Sequence, residues 1–266
     1  MSSYGSSRQR MRAVIRRQAL TLRRGSHRWF DVAIWPVVDT VLWGSLGAFS
    51  EATGGTKGDL AFLLTGVFLM HVVYQSSIAV STGFLDETWS RTLLNTLVTP
   101  IKDWEYFAAL ATFSLVKLAI GTGVVALASW VGYGFSVSNI GFSLVPIYAL
   151  VVLVGWTVSL VVIGLILRFG KGAEILTWGI MFIVIALSGI FYPTSALPPW
   201  LRPISNMIPA THAFDAARAV VAGDPMPWGQ VGYAAIGTLV CGGLAVWYAT
   251  RMLTTFRRRG FATRYS

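Results

Sequence analysis

The sequence predicts an all-α integral membrane protein, and three observations carry that prediction. Hydrophobic residues make up 55% of the 266-residue chain and charged residues only 12%, whereas a soluble domain carries about 25% charged residues. The apolar residues fall in continuous runs near the ~20 residues that a helix needs to cross a ~30 Å hydrocarbon core. They do not fall in the short alternating segments of a membrane β-barrel. The single cysteine, Cys241, excludes an intramolecular disulfide framework and a cysteine-cluster metal site.

Six spans follow, at about 30–49, 60–83, 106–131, 142–167, 175–192 and 231–253. The third and fourth are long enough to tilt or to extend past the bilayer. An even number of spans puts both termini on one side. That side carries Arg8, Arg10, Arg12, Arg16, Arg17, Arg23, Arg24 and Arg28 before the first span. It also carries Arg91, Lys102, Arg168 and Lys171 in loops, and Arg251, Arg257, Arg258, Arg259 and Arg264 in the tail. Lys57, Arg202 and Arg218 fall opposite, and Lys117 lies within a span. The positive-inside rule therefore makes both termini cytoplasmic. The net charge of +10 reflects this topology and anionic lipid at the inner surface, with no need for a nucleic-acid partner.

The chain divides into a basic segment 1–28, a transmembrane domain 29–254 and a basic tail 255–266. In the first, Met11, Val14, Ile15, Ala19 and Leu22 recur at near-helical spacing among arginines, the pattern of an amphipathic helix in the interface. The first span is too long for a signal h-region and carries Asp39 and tryptophans, so it is expected to remain as a span.

Catalytic motifs are missing. Gly164, Gly170, Lys171 and Gly172 lack the spacing and the hydroxyl residue of a phosphate-binding loop, and neither HExxH nor Gly-x-Ser-x-Gly occurs. His27, His71 and His212 are far apart in sequence. The chain is expected to be no enzyme and to hold no cofactor or metal. On the second span, His71, Tyr74, Gln75 and Ile78 lie at helical spacing, and interhelical hydrogen bonding accounts for them better than substrate contact. Asp39 and Lys117 each cost ~2.5–3.5 kcal/mol alone in a span. They are expected at comparable depth and to pair, fixing the first span against the third.

Two segments between spans carry the remaining signal. In LDETWSRTLLNTLVTPIKDWEYF (85–107), Asp86 and Glu87 suit the start of a short helix, Trp89, Leu93, Leu94 and Leu97 form one stripe, and Pro100 ends the element. After the fifth span, Pro193, Pro198 and Pro199 interrupt helix. A second helix is expected from about residue 210, ended by Gly223. Non-helical backbone at membrane depth survives only when buried in protein or lining a wet cavity.

The stretch LSGIFYPTSALPPWLRPISNMIPATHAFDAARAVVAG (187–223) resembles the hallmark of ABC-2 type transporter permeases. Gly189, Tyr192, Pro193, Leu197, Pro198, Trp200, Asn206, Pro209, Thr211, Asp215 and Arg218 carry the match. The loop ETWSRTLLNTLVTPI (87–101) is similar to the family's second cytoplasmic segment, with Trp89 replacing a residue often charged there. The resemblance implies a permease pair, a homodimer in the simplest case, working with two copies of a cytoplasmic ATPase that binds Mg-ATP. It implies a coupling helix between spans two and three, with Glu87, Arg91, Leu93 and Leu97 as its contacts. It implies a pathway lined by spans two and five, with His71, Tyr74, Gln75, Ile78 and Phe182 as candidates. A re-entrant outer segment between spans five and six would close the exit through Tyr192, Pro193, Pro198, Trp200, Pro209 and Arg218. The cargo expected is amphipathic: a drug, a lipid or a lipid-linked saccharide, exported across a bacterial plasma membrane. A lipid-linked polysaccharide exporter, a secondary transporter and an intramembrane lipid-modifying enzyme are the alternative readings.

Overall fold

The computed structural model describes residues 6–25, 29–89, 99–136, 144–170 and 175–259. Helix α1 (Ser7–Arg24) opens the chain, and a π-helical turn (Phe30–Ile34) leads into α2 (Trp35–Ala52). The long helices α3 (Asp59–Trp89), α4 (Asp103–Tyr133) and α5 (Leu144–Phe169) follow, then α6 (Ile175–Leu187). A 3-10 turn (Thr194–Ala196), the short α7 (Arg202–Met207), α8 (Pro209–Val221) and α9 (Trp228–Arg259) complete the order. No strand occurs among the described residues.

Local chemistry explains the boundaries. Ser6 accepts the start of α1 in a capping box with Gln9, and Glu105 caps α4 by accepting the Lys102 N–H at 3.0 Å, which satisfies otherwise orphaned groups of the first turn. Gly134, with φ +65°, stops α4 in the left-handed conformation that glycine takes without strain. The π turn has its cause in Pro36. The Trp35 N–H bonds to the Phe30 carbonyl, five residues back, so the next carbonyl in that register, Asp31, would need an N–H at residue 36. Proline has none. The Asp31 carbonyl is left to a partner outside its own helix.

α3 is the hub: it packs on α2, α4, α5, α6 and α8. Its most apolar stretch is 83% buried, against 22% for α9, so α3 is enclosed by protein while α9 turns most of its surface outward. α3 and α5 approach through Gly155, where a Cβ would lie 2.8 Å from the Val73 carbonyl, the small-residue contact that lets membrane helices pack backbone to backbone. The outward side chains of α2, α4 and α9 include Leu42, Leu127 and Leu239, apolar as a lipid-facing surface requires.

Among the described residues, five helices are long and apolar enough to cross a membrane. The fifth expected span, 175–192, differs from its expectation. Its described helix, α6, is 13 residues long, about 20 Å at ~1.5 Å per residue. It ends at Leu187 because Gly189 turns left-handed, with φ +64°. The segment after α3 also differs. No separate helix begins at Asp86; α3 runs on through Trp89, and 90–98 lie outside the described residues.

Candidate functional site

Three polar assemblies are stacked along the bundle. At the basic end, α1 lies across α3 and α4. Arg10, Val14 and Arg17 recur at helical spacing, so they share one face of α1. Val14 is buried against Phe84, Tyr106 and Leu110. Arg10 grips Glu105 at two points, Nε donating to Oε2 at 2.8 Å and Nη2 to Oε1 at 2.6 Å. That hydrogen bond holds the guanidinium proton more tightly than in a free arginine. Arg17 donates to Glu87 Oε1, and Gln18 Nε2 reaches the Gly83 carbonyl at 3.3 Å. Both ends of the 90–98 segment are thus tied to a single helix, one through Glu87 and the other through Glu105. Beside the tie runs a cleft of about 340 Å³ walled by Ala13, Val14, Thr99, Pro100 and Ile101 between Arg10 and Arg17.

Of the expected coupling residues, Glu87 is only 3% exposed. Its carboxylate is engaged by α1 instead of standing free on a surface. Arg91, Leu93 and Leu97 lie outside the described residues.

In the middle of the bundle the expected polar stripe divides. His71, Gln75 and Ile78 are each 1% exposed and face other helices of the same chain. Tyr74 is half-buried, edge-on to His71 with ring centroids 6.2 Å apart and 5.9 Å from Trp178 of α6. Phe182, one turn further along α6, is 65% exposed. So Tyr74, Trp178 and Phe182 carry the surface between α3 and α6, while His71, Gln75 and Ile78 lie behind it. Gln75 Nε2 donates to the Asp31 carbonyl at 2.9 Å, the group that the π turn and Pro36 left without a helical partner.

Asp39 meets His71, with Oδ2 3.3 Å from Nε2, rather than the expected Lys117. The helix register explains the correction. A Cβ on Gly121 would lie 3.6 Å from the Val32 carbonyl, and one on Gly44 would meet the Tyr133 ring. Both pairs are offset by 89 residues (121 − 32 and 133 − 44), so α2 and α4 run parallel and Asp39 is level with residue 128. That is 11 positions beyond Lys117, or about 16 Å at ~1.5 Å per residue, too far for the two side chains to span. Counting depth from the expected span starts failed because the two helices do not start level: with the same offset, Phe30 is level with residue 119, 16 positions (119 − 103) beyond the start of α4 at Asp103.

At the far end, the chain from Gly189 to Val221 is clamped through its own carbonyls. Arg218 donates to the carbonyls of Gly189 and Tyr192 and pairs with Asp215. Burial pulls its pKa down to about 10, which leaves it charged at neutral pH. Arg202 donates to the Leu197 carbonyl at 2.9 Å and the Ser195 carbonyl at 2.6 Å. Ser205 Oγ caps the Leu187 carbonyl at 2.6 Å, and Thr211 Oγ1 bonds the Ser205 carbonyl at 2.7 Å. Tyr192 donates to the Ala186 carbonyl. Pro209 starts α8 and touches α9 at Gly237. Pro193 and Pro198 are exposed, as is Trp200 at 71%. Phe191 stacks on Trp43 of α2, 4.1 Å between centroids, and so anchors the hairpin to the rest of the bundle.

Residues 9–221 match the family model described as ABC-2 type transporter. The chain belongs to that family. A search among curated proteins returned no match. As an ABC-2 type permease it is the membrane component of a transporter and not the ATPase, and the family works with an ABC ATPase partner. The match covers α1 through α8, so all three assemblies fall inside it. Among the described residues no group of three or more His, Cys, Asp or Glu side chains could hold a metal ion.

Sequence reasoning missed Arg10, Arg17, Gln18 and Glu105 as members of the basic-end assembly. A signal was present: Arg10, Val14 and Arg17 mark a face of α1 that mixes charge with an apolar residue, unlike the outward Arg8, Arg12, Arg16 and Arg23.

Proposed function

We propose that this permease forms the translocation pathway of an ATP-driven exporter, as a homodimer carrying two copies of a cytoplasmic ABC ATPase that binds Mg-ATP. The basic end, with both termini, faces the cytoplasm of a bacterial cell, as the arginine distribution supports. Segment 87–97 is the part the ATPase pushes, with Arg91, Leu93 and Leu97 making the contact and Glu87 fixing its root. The observation that carries this reading is the α1 tie: Arg17–Glu87 and Arg10–Glu105 hold the two ends of that segment to one helix. A force applied at 90–98 then reaches α3 and α4 together. The surface at Tyr74, Trp178 and Phe182 supports an amphipathic cargo moving between two copies, which a drug, a lipid or a lipid-linked saccharide satisfies. Tyr192, Pro193, Pro198, Trp200, Pro209 and Arg218 form the exit hairpin.

ATP turnover in lipid nanodiscs tests the reading. The expected result is turnover that depends on the permease–ATPase complex and falls at least tenfold in Leu93→Asp or Leu97→Asp. An ATPase that neither binds the permease nor responds to those changes would overturn it.

A further inference from the structure

We propose that Asp39 and His71, backed by Gln75, form an intramembrane proton-binding site that joins α2 to α3. Asp39 Oδ2 and His71 Nε2 are 3.3 Å apart but not aligned as a hydrogen bond. Asp39 Oδ2, both ring nitrogens of His71 and Gln75 Oε1 are enclosed, with no hydrogen-bond partner among the described residues. Buried polar atoms are ordinarily paired, and four unpaired ones on two adjacent turns of α3 and the facing α2 mark a site. Gln75 is held there by the Asp31 carbonyl of the π turn, and π turns recur at functional positions.

Enclosure selects the ligand. His71 is 1% exposed, and the Asp39 side chain keeps 12%, an opening too small for a cargo group but sufficient for a proton. Charge supports the same choice. A carboxylate beside a neutral imidazole leaves one negative charge in the hydrocarbon layer; one bound proton cancels it, whichever side chain carries it. Among the described residues, the elements packed around the site carry these titratable groups. The π turn brings Asp31, and α3 itself brings Tyr74. Tyr148 of α5 lies against Phe68, one turn from His71. α6 presents the uncharged Trp178. Lys117 of α4 is displaced by about 16 Å along the axis. Arg218 and Asp215 of α8 sit by Phe62, more than two turns away along α3. Arg17 of α1 meets α3 at Glu87, 16 positions (87 − 71) along that helix from His71.

The site sits on the helix that leads without a break to Glu87. Proton binding that tightens α2 against α3 is therefore transmitted along one rigid element to the basic end. This last link rests on the permease–ATPase reading above; the site itself does not.

The experiment is unfolding of the purified full chain in nanodiscs between pH 5 and 9, followed by tryptophan fluorescence, for wild type, Asp39→Asn, His71→Gln, the double variant and Asp39→Glu. A proton held by the folded chain and released on unfolding makes stability fall as pH rises. Wild type should lose up to about tenfold in its folded-to-unfolded ratio per pH unit through the release range, the one-proton limit. Asp39→Asn and the double variant, which leave no negative charge for the proton to cancel, should each lose that fall with pH; His71→Gln, whose lone carboxylate still needs neutralising, should keep a fall over a different pH range; and Asp39→Glu, which keeps the carboxyl group, should retain it. Profiles that run parallel in all variants, or an undiminished fall with pH in Asp39→Asn, would overturn the site. If the single variants do not fold, the slope in wild type and Asp39→Glu decides: a flat profile in both overturns it. A flattened stability profile with an unchanged pH profile of ATP turnover in the complex would keep the site and remove its link to transport.

Discussion

The two ends of the bundle are held by different chemistry. At the far end, the guanidiniums of Arg202 and Arg218 and the hydroxyls of Ser205 and Thr211 all donate to main-chain carbonyls within the hairpin or at the end of α6. At the basic end, the ties between α1 and the long helices run mainly from side chain to side chain, through Arg10–Glu105 and Arg17–Glu87. Carbonyls freed by a broken helix must be satisfied in every conformation, so the first kind of contact fixes one shape. Ion pairs whose arginines keep 21% and 40% of their side chains exposed are partly screened by salt, so the second responds to ionic strength and can re-form. One end is built to keep its geometry, the other to change it.

Arg218→Met should break this contrast most severely. It leaves the Gly189 and Tyr192 carbonyls without their donor, and each enclosed acceptor left unsatisfied costs ~1–3 kcal/mol. Loss of the thermal transition, or a fall in its midpoint far beyond that of any basic-end variant, is the expected readout. Gly189→Val comes next. Its φ of +64° disfavours a β-branched residue, and its Cβ would lie 2.8 Å from the Tyr192 carbonyl, a strain of ~1–3 kcal/mol visible as lower yield of monodisperse protein. Ser205→Ala removes one cap on the Leu187 carbonyl and should cost ~1 kcal/mol by the same melting measurement.

Arg17→Gln sharpens the comparison from the other side. Glutamine keeps a donor for the nearly buried Glu87 carboxylate, so the change should cost ~1 kcal/mol of stability, yet it should lower ATP turnover in the complex several-fold. Raising the salt concentration should reproduce part of that loss in wild type and leave Arg17→Gln little changed.

What was legible in the sequence follows the same division. The far-end hairpin was readable because prolines and Gly189 act locally: Pro193, Pro198 and Pro209 dictate where helix can and cannot form, and Arg218 was identifiable from its motif. Five spans were readable from length and apolar content, with ends moved by a few residues. The helix expected over 175–192 ends earlier, at Leu187, because an apolar run shows no break until the backbone turns at Gly189. Depth and rotation were not readable. Asp39 and Lys117 looked level only while both spans were treated as straight helices starting at their apolar edges. In the true register the first span starts 16 positions beyond the start of α4, which neither apolar run reveals. Likewise, Glu87 looked like a surface residue because nothing in 85–107 reveals that α1, some 70 positions earlier, folds back over it.

Amide hydrogen exchange on the reconstituted permease–ATPase complex, with and without a non-hydrolysable ATP analogue, tests the central claim most directly. The account predicts that nucleotide changes protection in Ser7–Arg24 and at the ends of α3 and α4 that flank 90–98, while the amides of residues 189–221 keep theirs. Nucleotide-dependent opening of the 189–221 hairpin, with α1 and its two anchor points unchanged, would contradict it.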